Sequence, residues 1–581
     1  MHSYPRSPEA HSTASSAPDG DRLDDGDELD NNDEDWAFPE PDDPMGLEDL
    51  LHCYGVSHAD ENVQWPYAKL RRVVTRERVL RALQEECGFD EADAQNYCSR
   101  IMPASDDADT ETLAADSVRW RKPGELHMSQ RAGYLRVFAT LMMQSKGNLV
   151  RYFIEQGVSD RELPLETPAP TVGPARRGKG GVGLVLPEEP VPRPRGCFRR
   201  HELNMFVSTQ WRFVLPYFAP SISGDAAHYD LPPDAILPWV AIKSGSAGQP
   251  TLKEEQETGG YGILKRVRIH PDCHSLGTLL GSSSLPDRFF AIKSIRRKYL
   301  AEYTNEVEFL KRFSGTGHSH LVPLLSTFTH LGSYHFIFPW AEGDLDQWWS
   351  RSIGPPPRTF EFRRWIARQI SGLVDAMYTI HEPKQGASNL SPDEKRFGHH
   401  GNLKPQNVLW FASSKDSMGI LMIADFGIAV DYGEISNVPY EHLPRTPAYR
   451  PPECDMDGGK IARAFDIWSM GCIFLEMAAW LLGGAKGRAA FKRERQALYL
   501  AMSLTDIYFD IQEMLSADGI TGGSGKYVFL VKESVTKVCA TLFRHNIPTL
   551  LRQTLTANGY TDQNIWRSCT PTQPAPTTCT N

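Results

Sequence analysis

Apolar residues recur at helical spacing through two stretches of the first third of the chain. One is Thr75–Cys87; the other, Gln130–Gln156, carries Tyr134, Val137, Phe138, Leu141, Leu149 and Phe153. Such stripes make amphipathic faces that must find a partner. Gly157 stands where the second would end. Residues 46–165 therefore predict a small all-α module, broken by a polar loop near Ser105–Asp116, with stripes long enough to fold alone. Residues 166–196 are rich in Pro and Gly without apolar period, and predict a linker. Cys197–Tyr229 is aromatic and predicts a helical extension, over 197–236, that packs on the domain C-terminal to it. Beyond it the pattern mixes. Phe290–Lys293 is an apolar strand, Val307, Leu310 and Phe313 mark a helix, and Ile420–Ala424 is a further apolar run. Residues 546–581, rich in Thr and polar residues, predict a divergent tail. No internal repeat is present.

Composition narrows the class. At 581 residues and 40% hydrophobic, the chain can bury two or more cores. Its net charge of −11 is uneven: the first fifty residues hold 16 Asp and Glu against Arg6 and Arg22, which leaves the other 531 at +3. Residues 1–45 predict an acidic disordered tail. No basic field remains to attract nucleic acid or an anionic membrane. The 10 cysteines include no Cys-x-x-Cys pair, which argues against a disulfide framework or a zinc ribbon. The N-terminus lacks the apolar centre of a secretory signal. The longest apolar run, Cys472–Leu482, contains Glu476 and is too short and too charged for a bilayer span. The expectation is a soluble protein of a reducing, intracellular compartment, cytoplasmic or nuclear, without nucleic-acid or membrane partners.

Candidate chemistry lies mostly in the second half. Gly178–Gly183 imitates a phosphate loop, but Leu184 stands where Lys-Ser/Thr is needed and no strand precedes it, so it reads as linker. Gly259, Gly260 and Gly262 could let backbone amides close over phosphate oxygens, as an ordinary turn would also explain. Lys293 ends an apolar strand; buried, it needs a partner, and Glu306 and Glu308 follow in a helical pattern. Asn407 and, eighteen residues on, Asp425 offer the hard oxygens that Mg²⁺ favours. Later come Thr446–Glu453 and Asp466–Gly471.

In this order and spacing the motifs resemble the eukaryotic protein kinase domain. The likeness runs from Gly259 to Met477. Phe338–Leu345 and Leu403–Trp410 are further similar to filamentous-fungal serine/threonine kinases with a helical N-terminal region. The resemblance implies a bilobal α+β kinase-like fold over residues 237–545, ATP and Mg²⁺ as cofactors, and an unknown protein substrate. It implies that Gly259, Gly260, Gly262, Leu264 and Ala291 surround the nucleotide, with Ile337 as gatekeeper and Phe338–Trp340 as the adenine-binding hinge. Lys293 would hold the α- and β-phosphates, paired with Glu306 and with Glu308 in reserve. Asn407 and Asp425 would bind the metal, Lys404 would neutralise the γ-phosphate, and Asp466 would hold the catalytic loop.

The departures carry equal weight. Glu257 replaces the first glycine of the phosphate loop, the connection Pro271–Asp287 is long, and Gly401 replaces the arginine that reads activation-loop phosphorylation. Asn402 occupies the place of the catalytic aspartate. An amide can orient a hydroxyl but cannot take its proton at neutral pH, and losing a general base costs about 10²- to 10⁴-fold in rate. Two readings stay open: a serine/threonine kinase of reduced efficiency, and a pseudokinase scaffold or regulatory module that retains nucleotide binding.

Overall fold

The computed structural model describes residues 38–40, 43–58, 63–103, 133–166, 198–221, 226–240, 257–258, 262–280, 289–311, 318–351, 354–381, 397–426, 430–432, 447–455, 463–498, 504–514 and 526–544. The acidic tail to residue 37, the 105–116 loop, nearly all of the linker and the 546–581 tail lie outside the described residues.

The first third forms short helices: α1 (Leu47–Cys53), α2 (Tyr67–Val73), α3 (Arg76–Glu85), α4 (Glu91–Ile101), α5 (Leu135–Met142), α6 (Val150–Glu155) and α7 (Arg200–Thr209), with a hairpin of β1 (Val56–Ser57) and β2 (Val63–Gln64) after α1. The Thr75 hydroxyl accepts from Arg78 N at 3.4 Å and the Asp90 carboxylate from Asp93 N at 2.8 Å. Each thus caps its helix by satisfying an orphan N–H. The stripe over 130–156 is two helices, not one. At Gly147 a Cβ would lie 2.3 Å from Met142 Sδ and 2.5 Å from Cys87 Sγ, so the backbone turns there against α5 and the end of α3. The 197–236 extension is helical only through α7 and one tighter turn, Gln210–Arg212. Pro216 and Pro220 lack the N–H a helix needs, and the chain instead runs on to a strand.

That strand, β3 (Ala227–Asp230), joins β4 (Trp239–Val240), β5 (Glu257–Thr258), β6 (Gly262–Ile269), β7 (Phe290–Arg296), β8 (Ser326–His330) and β9 (Ser333–Pro339) in one curled sheet. The order is β3-β8-β9-β7-β6-β4, with β5 also on β6. Only the β3–β8 pair is parallel. One face of the sheet presents Val267, Ile269, Phe290, Ile292, Phe328 and Ile337, all buried in a cluster continuous with Leu83, Phe138, Phe206 and Phe218. Phe218 packs 5.4 Å from Tyr229, 6.1 Å from Trp239 and 5.6 Å from Phe328. Gln64 Nε2 donates to Trp239 O at 3.0 Å. The helical module and this sheet therefore share one core, and the expectation of a self-contained 46–165 module is corrected: its stripes close on the sheet.

A second, helical lobe follows. After the one-turn α8 (Gly277–Leu280) and α9 (Leu300–Lys311) come α10 (Leu345–Ser350), α11 (Phe360–His381), α12 (Arg463–Arg495) and α13 (Glu533–Arg544), with β10 (Gly343–Asp344), β11 (Phe397–His399), β12 (Val408–Phe411) and β13 (Ile420–Ile423) along the cleft. Its core holds Leu345, Trp349, Trp365, Leu373, Leu421 and Ile473. Helix α12 is long and apolar enough by length and composition to cross a membrane, but most of its apolar window is buried inside the protein. The whole is the bilobal α+β arrangement expected.

Candidate active site

Strand parity builds the cleft. Successive side chains of a strand face opposite ways, so Ala291 and Lys293 on β7 share a face. Register adds Leu264, opposite Lys293, with Phe336 and Phe338 opposite Lys293 and Ala291. This face looks toward α9 and the helical lobe, away from the core under the module. Gly262 opens β6 here because a Cβ would meet Ser294 O at 2.7 Å. Gly259 and Gly260 lie outside the described residues.

Lys293 reaches across the cleft. Its Nζ donates to Glu306 Oε1 and Oε2 at 2.7 and 2.9 Å and to Asp425 Oδ1 at 3.1 Å. Burial opposes the ammonium charge, but Glu306 and Asp425 outweigh it and raise the Lys293 pKa. Burial likewise works against the Asp425 carboxylate, yet Lys293 holds its pKa below the ordinary value. Glu308 faces out, so Glu306 is the partner. Phe426 stacks on Phe309 at 5.3 Å and meets the tilted His400 ring at 5.1 Å, which anchors the Asp425 segment on both α9 and the catalytic loop.

That loop hangs on one buried carboxylate. Asp466 accepts from His400 N at 2.7 Å, Gly401 N at 2.9 Å and His381 Nε2 at 2.8 Å. Burial would raise its pKa; the His381 hydrogen bond leads the effects that lower it instead. Gly401 sits at φ +73°, a left-handed conformation that explains glycine at this position. His400 Nδ1 accepts from Asn402 N at 3.2 Å while Nε2 donates to Ala424 O at 2.9 Å. These bonds fix one neutral tautomer, and burial depresses its pKa to match.

Asn402 is buried beside this ring. Its backbone carbonyl accepts from Asn407 Nδ2 at 2.8 Å, which leaves Asn407 Oδ1 as the atom to offer a cation. Ala424 N donates to Asn407 O at 2.9 Å, so Asn407 and Asp425 are held side by side. An ionised carboxylate next to an oriented amide oxygen fits Mg²⁺. Lys404 is half-buried on the same loop.

Two placements correct the sequence-based expectations. Ile337 pairs with Ile292 and is buried on the module side of the sheet, so it is no gatekeeper; Phe338, one residue on, faces the cleft. The Trp340 N–H is taken by Phe289 O at 3.2 Å, and its ring lies 5.3 Å from the Arg266 guanidinium, so this residue fastens the hinge. The sequence alone also assigns no role to His381 and His400. Their only signals are a histidine at the end of an apolar helix and another at the head of the loop motif, neither informative by itself.

Residues 280–520 match the family model described as "Protein kinase domain". The chain carries a protein kinase domain. The matched span includes Lys293 through Asp466 and begins after the glycine turn. The kinase domain is 28% identical over 206 residues to serine/threonine-protein kinase crk1 of Schizosaccharomyces pombe, covering 34% of this chain and 52% of that protein. It is 26% identical over 199 residues to cyclin-dependent kinase 7 of Xenopus laevis, covering 33% and 49%. A shorter stretch of 80 residues is 42% identical to cyclin-dependent kinase 2 of Caenorhabditis elegans, covering 14% and 20%. The chain spans about half the length of the first two relatives.

Proposed function

We propose that the chain binds Mg²⁺-ATP in this cleft and transfers the γ-phosphoryl group to serine or threonine hydroxyls of an intracellular protein, at a rate limited by Asn402. The observation that carries this reading is Lys293 held charged between Glu306 and Asp425. A fixed ammonium at the cleft wall suits phosphate oxygens. Leu264 and the small Ala291 share that face and leave room for a flat base. Asn407 and Asp425 would hold the metal, which when bound neutralises charge on the phosphates. Lys404 adds a second cation on the loop below. Positioning and neutralisation supply most of the catalysis in phosphoryl transfer, because its loose transition state asks little of a base. Asn402 can orient the acceptor hydroxyl but must leave its proton to water. The name of the crk1 relative, a serine/threonine-protein kinase, supports hydroxyl acceptors.

A second reading, a pseudokinase scaffold that keeps nucleotide, is favoured by Asn402 itself. Both readings require nucleotide binding. The test is the melting temperature of the full chain with and without Mg²⁺-ATP. A native-state ligand at a hundredfold excess over Kd stabilises by about 2.7 kcal/mol. Wild type should melt higher with nucleotide and Lys293→Met should not. No shift at millimolar nucleotide would refute both.

A further inference from the structure

We infer that β3 is a built-in brace for helix α9, with His228 the positioning residue that holds Tyr303 and, through it, Glu306 against Lys293. Without β3, β8 would present an open row of backbone groups beside α9, an edge that invites another chain. Instead residues 227–230 pair in parallel with 326–329. Side chains reinforce the pair: Ser326 Oγ donates to Ala227 O at 2.9 Å and Thr329 Oγ1 to Asp230 Oδ1 at 2.7 Å.

Strand alternation then sends neighbouring side chains to opposite faces. Tyr229 points into the module core, packed on Phe218, and its hydroxyl donates to Ala219 O at 3.0 Å. His228 points the other way, toward α9. Its Nδ1 lies 2.9 Å from Thr327 Oγ1 and 3.3 Å from the Tyr303 hydroxyl, and its Nε2 lies 3.2 Å from Asp230 Oδ1. Tyr303 is itself buried, stacked 4.4 Å from Tyr334 and tilted 5.0 Å from Phe336, and its hydroxyl also hydrogen-bonds Thr327, the residue that His228 holds. Glu306 is three residues further along α9, one turn away on the same side of the helix. One strand is thus anchored in the core that the module and sheet share and, on its other side, fixes the helix that carries the lysine's partner.

The consequence for nucleotide affinity rests on the function proposed above; the brace does not. Hydrogen exchange of the full chain without nucleotide reads it directly. His228→Leu and Tyr303→Phe should each speed exchange in peptides covering 300–311 by about fivefold, the worth of one hydrogen bond. Peptides covering 290–296 and 333–339 should stay unchanged. His228→Gln, which keeps a hydrogen-bonding group at that place, should restore protection, and the His228→Leu/Tyr303→Phe pair should add little to either single change. Mg²⁺-ATP affinity should fall in His228→Leu and recover in His228→Gln. If His228→Leu fails to fold, Tyr303→Phe removes a single oxygen and reads the same contact. Unchanged exchange over 300–311, or a rise shared equally by every peptide, overturns the brace. The expected exchange pattern in a protein that binds no nucleotide supports the brace and refutes the proposed function instead.

Discussion

Lys293 Nζ lies 2.7 Å from Glu306 Oε1 and 3.1 Å from Asp425 Oδ1, so one cation joins the sheet, helix α9 and the helical lobe. The Glu306 carboxylate is almost fully buried, its side chain 3% exposed. A buried charge deprived of its partner costs several kcal/mol, whereas removing both partners costs less. Lys293→Met should therefore destabilise by about 3 kcal/mol, and Lys293→Met/Glu306→Gln by less than the single change. Chemical denaturation of the three proteins checks the order. A double variant weaker than the single would contradict the pairing.

Acid should weaken the fold through three buried neutral imidazoles, two in the sheet lobe and His320 where the chain meets the helical lobe at Leu421. Burial depresses His270 to about 3, and His320 and His335 to about 4 each. Unfolded, each takes up a proton near pH 6.5. Between these values the unfolded chain binds more protons than the folded one, so stability falls as pH falls. The melting temperature should decline steadily from pH 7 to pH 4.5, with a shallower slope in His335→Gln. A flat profile over that window would mean these rings are not buried neutral.

The catalytic loop should depend on Asp466 out of proportion to its distance from the chemistry. Three donors converge on this carboxylate, two of them backbone N–H groups of residues 400 and 401. Asp466→Ala strands all three, at about 1–3 kcal/mol for each buried group left unpaired. Limited proteolysis should show new cleavage near 397–407. The carboxylate's depressed pKa adds a second signature. Its stabilising effect is complete above the unfolded value of about 3.9 and is lost as pH drops through the lower folded value.

Deleting residues 1–196 should expose the apolar face that Val267, Phe290 and Ile337 bury against the helices. The remaining chain should bind a hydrophobic dye and aggregate. Likewise, an excised 45–165 fragment should give little helical circular dichroism. A soluble, cooperatively melting 197–581 fragment would contradict the shared core.

The motif residues are legible in the sequence because their chemistry is local and coercive. A lysine on an apolar strand must find an acid, and the helical pattern offers Glu306 and Glu308 at the right remove; the strand runs on past it to Arg296. The structure brings Lys293, Glu306, Asn407, Asp425 and Asp466 together, and the two-lobed α+β fold follows from the same order of strands and helices. What escapes is long-range. Periodicity shows that 130–156 has an apolar face, not that the face closes on Phe218 and the sheet. In β9 a slip of one residue exchanges the two faces of a strand, and that slip separates Ile337, buried under the module, from Phe338 in the cleft. The 197–236 segment reads as helix because its aromatics are dense. The prolines at 216 and 220 are the signal against it, and β3, with His228, lies beyond them.

The central claim is a nucleotide-binding kinase cleft in which Asn402 stands in the place of the base, and one comparison tests it most directly. At saturating Mg²⁺-ATP and a generic acceptor protein, the phosphotransfer rate of wild type is measured against Asn402→Asp. A restored carboxylate should raise the rate by about 10²-fold or more, within the range for a general base. Nucleotide affinity should barely change, because this side chain addresses the acceptor. Equal rates in the two proteins, or no transfer by either with nucleotide bound, would contradict the claim.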